Sequence, residues 1–302
     1  LNTAGEGRAA AAVEDMIASC PRDVKLRYPL SLLSLAYELF AAARHEQFLR
    51  LCGEIEALIP QTAFDRREQD RLPGELALLR SFAAYNDIRR MSEQHQLAHA
   101  LIGGHSRLVD GSVPWTMGCP SVLYMFHRNA GELDAELTCM ERCLPLYQEL
   151  AQGHGSGADL LMRAEALHLR GSRDEADILA LRAAYAARSR GQNSLLLCAE
   201  FLSARIALAA GNEGAFRAAA MSMEQSVEGG PPSLHAALDM AGGHLQLTLH
   251  RPQAAARWIR EGDFAARGLL APAVPYAQML HLYCCLEQKD SRRLYGLAEP
   301  FL

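Results

Sequence analysis

Two lysines, two tryptophans and only 7 Val, 8 Ile and 5 Thr in 302 residues set the first limits on this chain. β-Branched residues fill pleated strands, whereas Ala and Leu, with 50 and 47 copies, are strong helix formers. A substantial sheet is excluded and an all-α fold is expected. Long apolar runs are also missing: Glu38, Glu200, Arg205 and His281 interrupt every stretch well short of the roughly 20 residues of a membrane span. No membrane partner is therefore expected. The eight cysteines include no CxxC pair; Cys139 and Cys143 sit one helical turn apart, and Cys284 and Cys285 are adjacent. Free thiols in a reducing, cytoplasmic setting are the expectation. The opening Leu1-Asn2-Thr3-Ala4 has neither an initiator Met nor a basic, apolar leader, so the chain reads as an excised piece with further sequence before it. A net charge of −5 argues against a nucleic-acid platform, and 50% hydrophobic residues exclude disorder.

What is present is a repeat. Gly131-Glu132-Leu133-Asp134, Gly171-Ser172-Arg173-Asp174 and Gly211-Asn212-Glu213-Gly214 break Leu/Ala-rich segments at intervals of 40 residues, and Arg251-Pro252-Gln253 keeps the register. Weaker relatives lie at Arg44, Asn86 and Lys289. The spacing predicts about seven helical hairpins, hence about 14 helices, stacked as an α-solenoid, because neither helix of a hairpin can bury its apolar face alone. Apolar stripes support this at Leu160, Leu161, Ala164, Leu167 and Leu169, at Leu197, Phe201, Ala204 and Leu208, and at Ile178, Leu181 and Tyr185. One helical-repeat domain over residues 1–302 is expected, with subregions 1–102 and 119–302 joined by an irregular stretch, 103–118.

The Gly171-x-x-x-Glu175-Ala176 turn followed by Ala183 resembles a tetratricopeptide hairpin, in which small residues let paired helices approach closely. Tyr28-Pro29-Leu30-Ser31-Leu32-Leu33, Gly74-Glu75-Leu76-Ala77-Leu78-Leu79, Asn86-Asp87-Ile88, the run from Trp115 to Tyr124 and Gly153-His154-Gly155-Ser156-Gly157-Ala158 resemble the central region of large, ATP-dependent LuxR-type transcriptional regulators related to the maltose-regulon activator. That resemblance implies a signalling ATPase before the repeats and a helix-turn-helix domain after them. Neither Lys25 nor Lys289 follows the glycines of a Walker A loop, so both domains are expected outside this chain. No cofactor is expected here, ATP belonging to the absent ATPase, and DNA is contacted only through the absent C-terminal domain. What the resemblance leaves for these repeats is sensing: an inducer or regulatory protein held in a concave groove. The alternative is a general protein-interaction scaffold with no small ligand.

Catalytic signatures are wanting. No Gly-x-Ser-x-Gly elbow occurs, and the cysteines lie within apolar stripes, where burial suppresses reactivity, so the chain is not expected to be an enzyme. Gly153 to Gly157 suits a phosphate cradle less than a flexible connection with Ser156 capping the next helix. His95 and His99, one turn apart, lack a third ligand and read as a solvated face, so no metal site is expected. The first helix of each hairpin lines the concave wall. Aligning the turns places Met125 and Arg128, Glu165 and His168, and Phe201 and Arg205 on that wall. One row would run Arg128, His168, Leu208 and the next Met125, Glu165, Arg205, with Phe201 as an apolar floor. Charged groups beside an aromatic ring suit an anionic or hydroxylated ligand.

Overall fold

The computed structural model describes residues 3–41, 44–84, 86–109, 111, 114–264 and 269–298. Those residues form sixteen α-helices and three short 3-10 turns, with no strand. They fall into two compact units, one drawn from Leu1–Val113 and Phe126–Asp159, the other from Pro114–Met125 and Leu160–Leu302. The first unit holds α1 (Thr3–Ser19), α2 (Arg22–Arg27), α3 (Pro29–Ala41), α4 (His45–Leu58), α5 (Arg66–Ala83) and α6 (Ile88–Ile102). All but the last residue of α7 (Val122–Phe126) belongs to the second unit, and α8 (Leu133–Leu150) to the first. The second unit continues with most of α9 (Ala158–Leu169), then α10 (Arg173–Ser189), α11 (Asn193–Ala209), α12 (Glu213–Ser226), α13 (Pro232–Thr248), α14 (Arg257–Glu261), α15 (Val274–Glu287) and α16 (Ser291–Ala298).

The repeat is written in the helix ends. Gly171, Gly191 and Gly211 adopt left-handed φ values of 88°, 64° and 67°. Each closes the helix before it in the same way: the amide of the following residue reaches back to the carbonyl of Leu167, Ala187 or Ala207. This is the Schellman cap, which glycine enters without a Cβ penalty. His250 (φ 55°) and Lys289 (φ 58°) close α13 and α15 through the matching bonds Arg251 N to Gln246 O and Asp290 N to Cys285 O. The 40-residue period therefore contains two similar stops 20 residues apart in its best-formed stretch. Behind those stops, Leu197, Phe201 and Ala204 of α11 pack with Ala219 and Met223 of α12 and Ala237 and Ala241 of α13.

Three departures from the expected array have physical causes. Where a full first helix was expected before Gly131, α7 spans five residues. Met117 and Gly118 are both left-handed, Gly118 faces the Ser233 carbonyl with only 3.2 Å to spare for a Cβ, and Pro120 follows. Beyond Phe126, buried Glu136 draws the amides of Arg128 and Asn129 out of any helix at 3.2 and 3.4 Å. The second helix expected after Arg251 is a 3-10 turn over Pro252–Ala254 and the short α14, which ends at left-handed Gly262. The third concerns α10: the stripe Ile178, Leu181, Tyr185 faces solvent, and Ala176, Ala180, Ala183, Ala184 and Ala187 are buried instead. Both faces carry the same 3.6-residue period, and the small side chains win because they let the neighbouring backbone approach. Sixteen helices rather than 14 are the outcome among the described residues, because α1 and α2 precede the first of the seven pairs, α3 and α4.

Candidate functional site

In the second unit, α9 projects Glu165 into a fully enclosed position, 1% exposed. Its Oε2 accepts the Leu123 amide at 2.7 Å, and Val122 N and Ser121 Oγ also donate to the carboxylate, so one face of Glu165 serves the N-terminus of α7. The other oxygen, Oε1, has no hydrogen-bond partner and lies 4.0 Å from Arg205 Nη1 of α11. Burial raises the Glu165 pKa, opposed by Arg205 and by the amides.

Arg205 is held in place by packing. Its guanidinium carbon stands 5.5 Å from the centroid of the Phe201 ring, one turn earlier on α11. Its side chain is 18% exposed, and its N–H donors meet no hydrogen-bond acceptor among the described residues. Phe201 itself is completely buried, so it offers a ligand no surface; it supports Arg205 on one side and His244 of α13 on the other, edge to face at 5.3 Å. The Nδ1 of His244 is 2.9 Å from the Tyr276 hydroxyl on α15, and Tyr276 meets Tyr124 edge to face at 4.7 Å. Burial and then Arg205 push the His244 pKa down to about 4, leaving the imidazole neutral at pH 7. One turn beyond Glu165, His168 is half-buried; its Nδ1 lacks a partner, and burial, Arg205 and Arg173 all lower its pKa. Beneath the cluster, burial pushes the Cys119 thiol up to about 12 and Cys198 well above its ordinary value, which disfavours the thiolate of both.

Glu165, His168, Phe201 and Arg205 are thus brought together, with Glu165 beside Arg205 in the expected row. Met125 is buried, 4% exposed. Arg128 belongs to the other unit, where its exposed guanidinium lies 3.9 Å from Asp87. His244 and Tyr276 were missed. A 40-residue step from Arg205 lands on Leu245, and the structure uses the residue before it; that one-residue slip is the signal for His244. Tyr276 carries no repeat signal at all.

The first unit answers the remaining sequence candidates. His95 is not on a solvated face: it is 3% exposed, its Nε2 is 3.1 Å from Ser81 Oγ, and burial lowers its pKa to about 4. His99 pairs with Glu149 at 2.6 Å. Among the described residues no three His, Cys, Asp or Glu converge to hold a metal ion. Gly153, Gly155 and Gly157 all take positive φ, and the amides of Gly153, His154, Ser156 and Ala158 bond to nearby carbonyls rather than to open space. Ser156 Oγ donates to Gly153 O instead of capping α9, because the alternating left-handed glycines turn it back on the loop. A cavity of about 510 Å³ in the second unit, lined by Met279, Leu282, Tyr283, Leu286 and Leu294, is apolar and contains none of the Glu165–Arg205 cluster. No described helix is long and apolar enough to cross a membrane. Against this geometry, comparison with protein-family models, with curated proteins and with solved structures finds no match to the chain.

Proposed function

We propose that this chain is the ligand-sensing repeat domain of a regulator, and that a polar ligand binds beside Glu165, His168 and Arg205. One observation carries the reading. Two buried polar atoms in one cluster, Glu165 Oε1 and His168 Nδ1, lack hydrogen-bond partners beside the guanidinium of Arg205. Each orphaned buried group costs about 1–3 kcal/mol, an expense a folded protein keeps when something else satisfies it. A ligand presenting a hydroxyl or carboxylate oxygen to Arg205 and a donor to Glu165 supplies what is missing, across a gap too long for their direct bond.

The regulatory part of the proposal rests on the sequence segments that resemble LuxR-type activators, with binding shifting the repeats between two states that bias an attached ATPase. A thermal-shift screen with sugars, organic acids and nucleotides tests the ligand: the binder raises the melting temperature, and Arg205→Ala weakens it by about 1.5–3 kcal/mol with unchanged circular dichroism. Unaltered affinity in Arg205→Ala and in Glu165→Gln overturns the site. A flanking sequence without a Walker A loop and a helix-turn-helix overturns the regulator.

A further inference from the structure

The charges around Glu165 do not balance. Arg205 and Arg173, the first residue of α10, both act electrostatically on His168. Opposite these two cations stands one carboxylate, Glu165, while burial and Arg205 keep His168 and His244 neutral at pH 7. One positive charge is left over. Arg173 lies at the surface and gives one N–H to the Ala209 carbonyl at 3.3 Å. Phe201 packs against Arg205, the guanidinium carbon 5.5 Å from its ring centroid, and supplies no acceptor oxygen.

The two buried atoms without partners, Glu165 Oε1 and His168 Nδ1, have different needs. A carboxylate oxygen only accepts, so Oε1 requires a donor; an imidazole nitrogen accepts or donates according to its tautomer, and a hydroxyl serves it either way. Arg205 Nη1, 4.0 Å from Oε1, is a donor whose strongest partner is an anionic oxygen. A hydroxyl on the carbon next to a carboxylate presents these groups in the required order. The carboxylate faces Arg205, the adjacent hydroxyl donates to Oε1, and together they bridge a gap too long for one direct hydrogen bond. An ammonium in place of that hydroxyl also donates to Glu165, but it adds a cation beside two arginines. A neutral polyol leaves the surplus positive charge unanswered. We propose that the ligand of this site is a hydroxy carboxylate, held with its carboxylate on Arg205, its adjacent hydroxyl on Glu165 Oε1 and a further hydroxyl on His168 Nδ1. The proposal rests on the ligand site described under the proposed function and gives that ligand its chemical class.

Isothermal titration of the 302-residue chain with four matched probes tests the class. D-Gluconate has every feature; D-glucitol lacks the carboxylate, hexanoate lacks the hydroxyls, and D-glucosaminate carries an ammonium in place of the hydroxyl next to the carboxylate. D-Gluconate is expected to bind about tenfold or more tightly than each of the other three, the fold-change of one hydrogen bond to a charged group. Arg205→Ala is expected to abolish its advantage over D-glucitol. Arg173→Ala changes only a surface residue, so it keeps the helical spectrum; it is expected to weaken D-gluconate by about two- to fivefold and leave D-glucitol unchanged. A D-gluconate affinity unaltered by Arg173→Ala removes the surplus charge as the selector and overturns the class. D-Glucitol, hexanoate or D-glucosaminate binding as tightly as D-gluconate, and responding to Arg205→Ala, overturns the hydroxy carboxylate and leaves the site standing. No binding of D-gluconate overturns it too, and a ligand of another class that responds to Arg205→Ala then keeps the site. D-Gluconate bound with unaltered affinity by both Arg205→Ala and Glu165→Gln overturns the class and the site together.

Discussion

At the scale of single residues, the left-handed helix stops carry a cost that can be measured in isolation. A Cβ added at Gly211 meets nothing within 4 Å, so Gly211→Ala changes backbone strain and little else. The left-handed region costs an L-residue about 1–2 kcal/mol, and urea unfolding of Gly211→Ala is expected to show a loss of that size with an unchanged m-value. A loss near zero would mean that the turn relaxes out of the left-handed conformation. The glycine spacing was visible in the sequence at this scale. That His250 and Lys289 fill the same backbone position was not visible, because neither residue type announces a positive φ.

At the scale of elements, buried glutamates hold the irregular segments. Glu75 of α5 is fully buried and accepts Ser106 Oγ at 2.6 Å, Arg107 N at 2.9 Å and Arg71 Nη2 at 3.2 Å, which fastens the chain after α6 onto α5. Glu136 and Glu165 likewise accept loop amides. Removing one partner of a buried ionic group leaves the rest uncompensated, so Glu75→Ala is expected to destabilise by about 3–5 kcal/mol. Trypsin cleavage after Arg107 should accelerate in the same variant; a cleavage rate equal to wild type would show that the segment is held by other contacts. These glutamates sit among apolar residues in Gly74-Glu75-Leu76 and Ala164-Glu165-Ala166, and that position inside a helical stripe was the only sequence sign of their burial. The acceptor roles of Glu75 and Glu165 depend on loops 31 to 42 residues away in the chain.

At the scale of the whole molecule, each unit contains a histidine that folding keeps neutral. Burial lowers His95 in the first unit to about 4, and burial with Arg205 lowers His244 in the second to about 4. The unfolded value is near 6.5, so the unfolded chain binds the proton more readily. Stability from both groups is complete above about pH 6.5 and is lost as pH falls from there through 4, by about 3 kcal/mol for each histidine once both states are protonated. Urea midpoints are expected to fall across that window, and His95→Gln should flatten the part of the slope that belongs to the first unit. A midpoint independent of pH between 6.5 and 4 would contradict the burial of both rings.

The sequence by itself determined the helical class and the 40-residue rhythm, because the Ala and Leu excess and the spaced glycines act through local backbone preferences that need no distant partner. It also placed Glu165 and Arg205 in one row, since stacking of equivalent helices preserves register. Only the tertiary structure decided which face of α10 is inward, because alanine and large apolar stripes share one period and close packing selects between them. It alone replaced Leu245 by His244, buried Phe201 beneath Arg205, and left Glu165 Oε1 and His168 Nδ1 without partners. Those outcomes depend on how α9, α11, α13 and α15 come together, and hydrogen-bond satisfaction between distant segments is a property that no local pattern records.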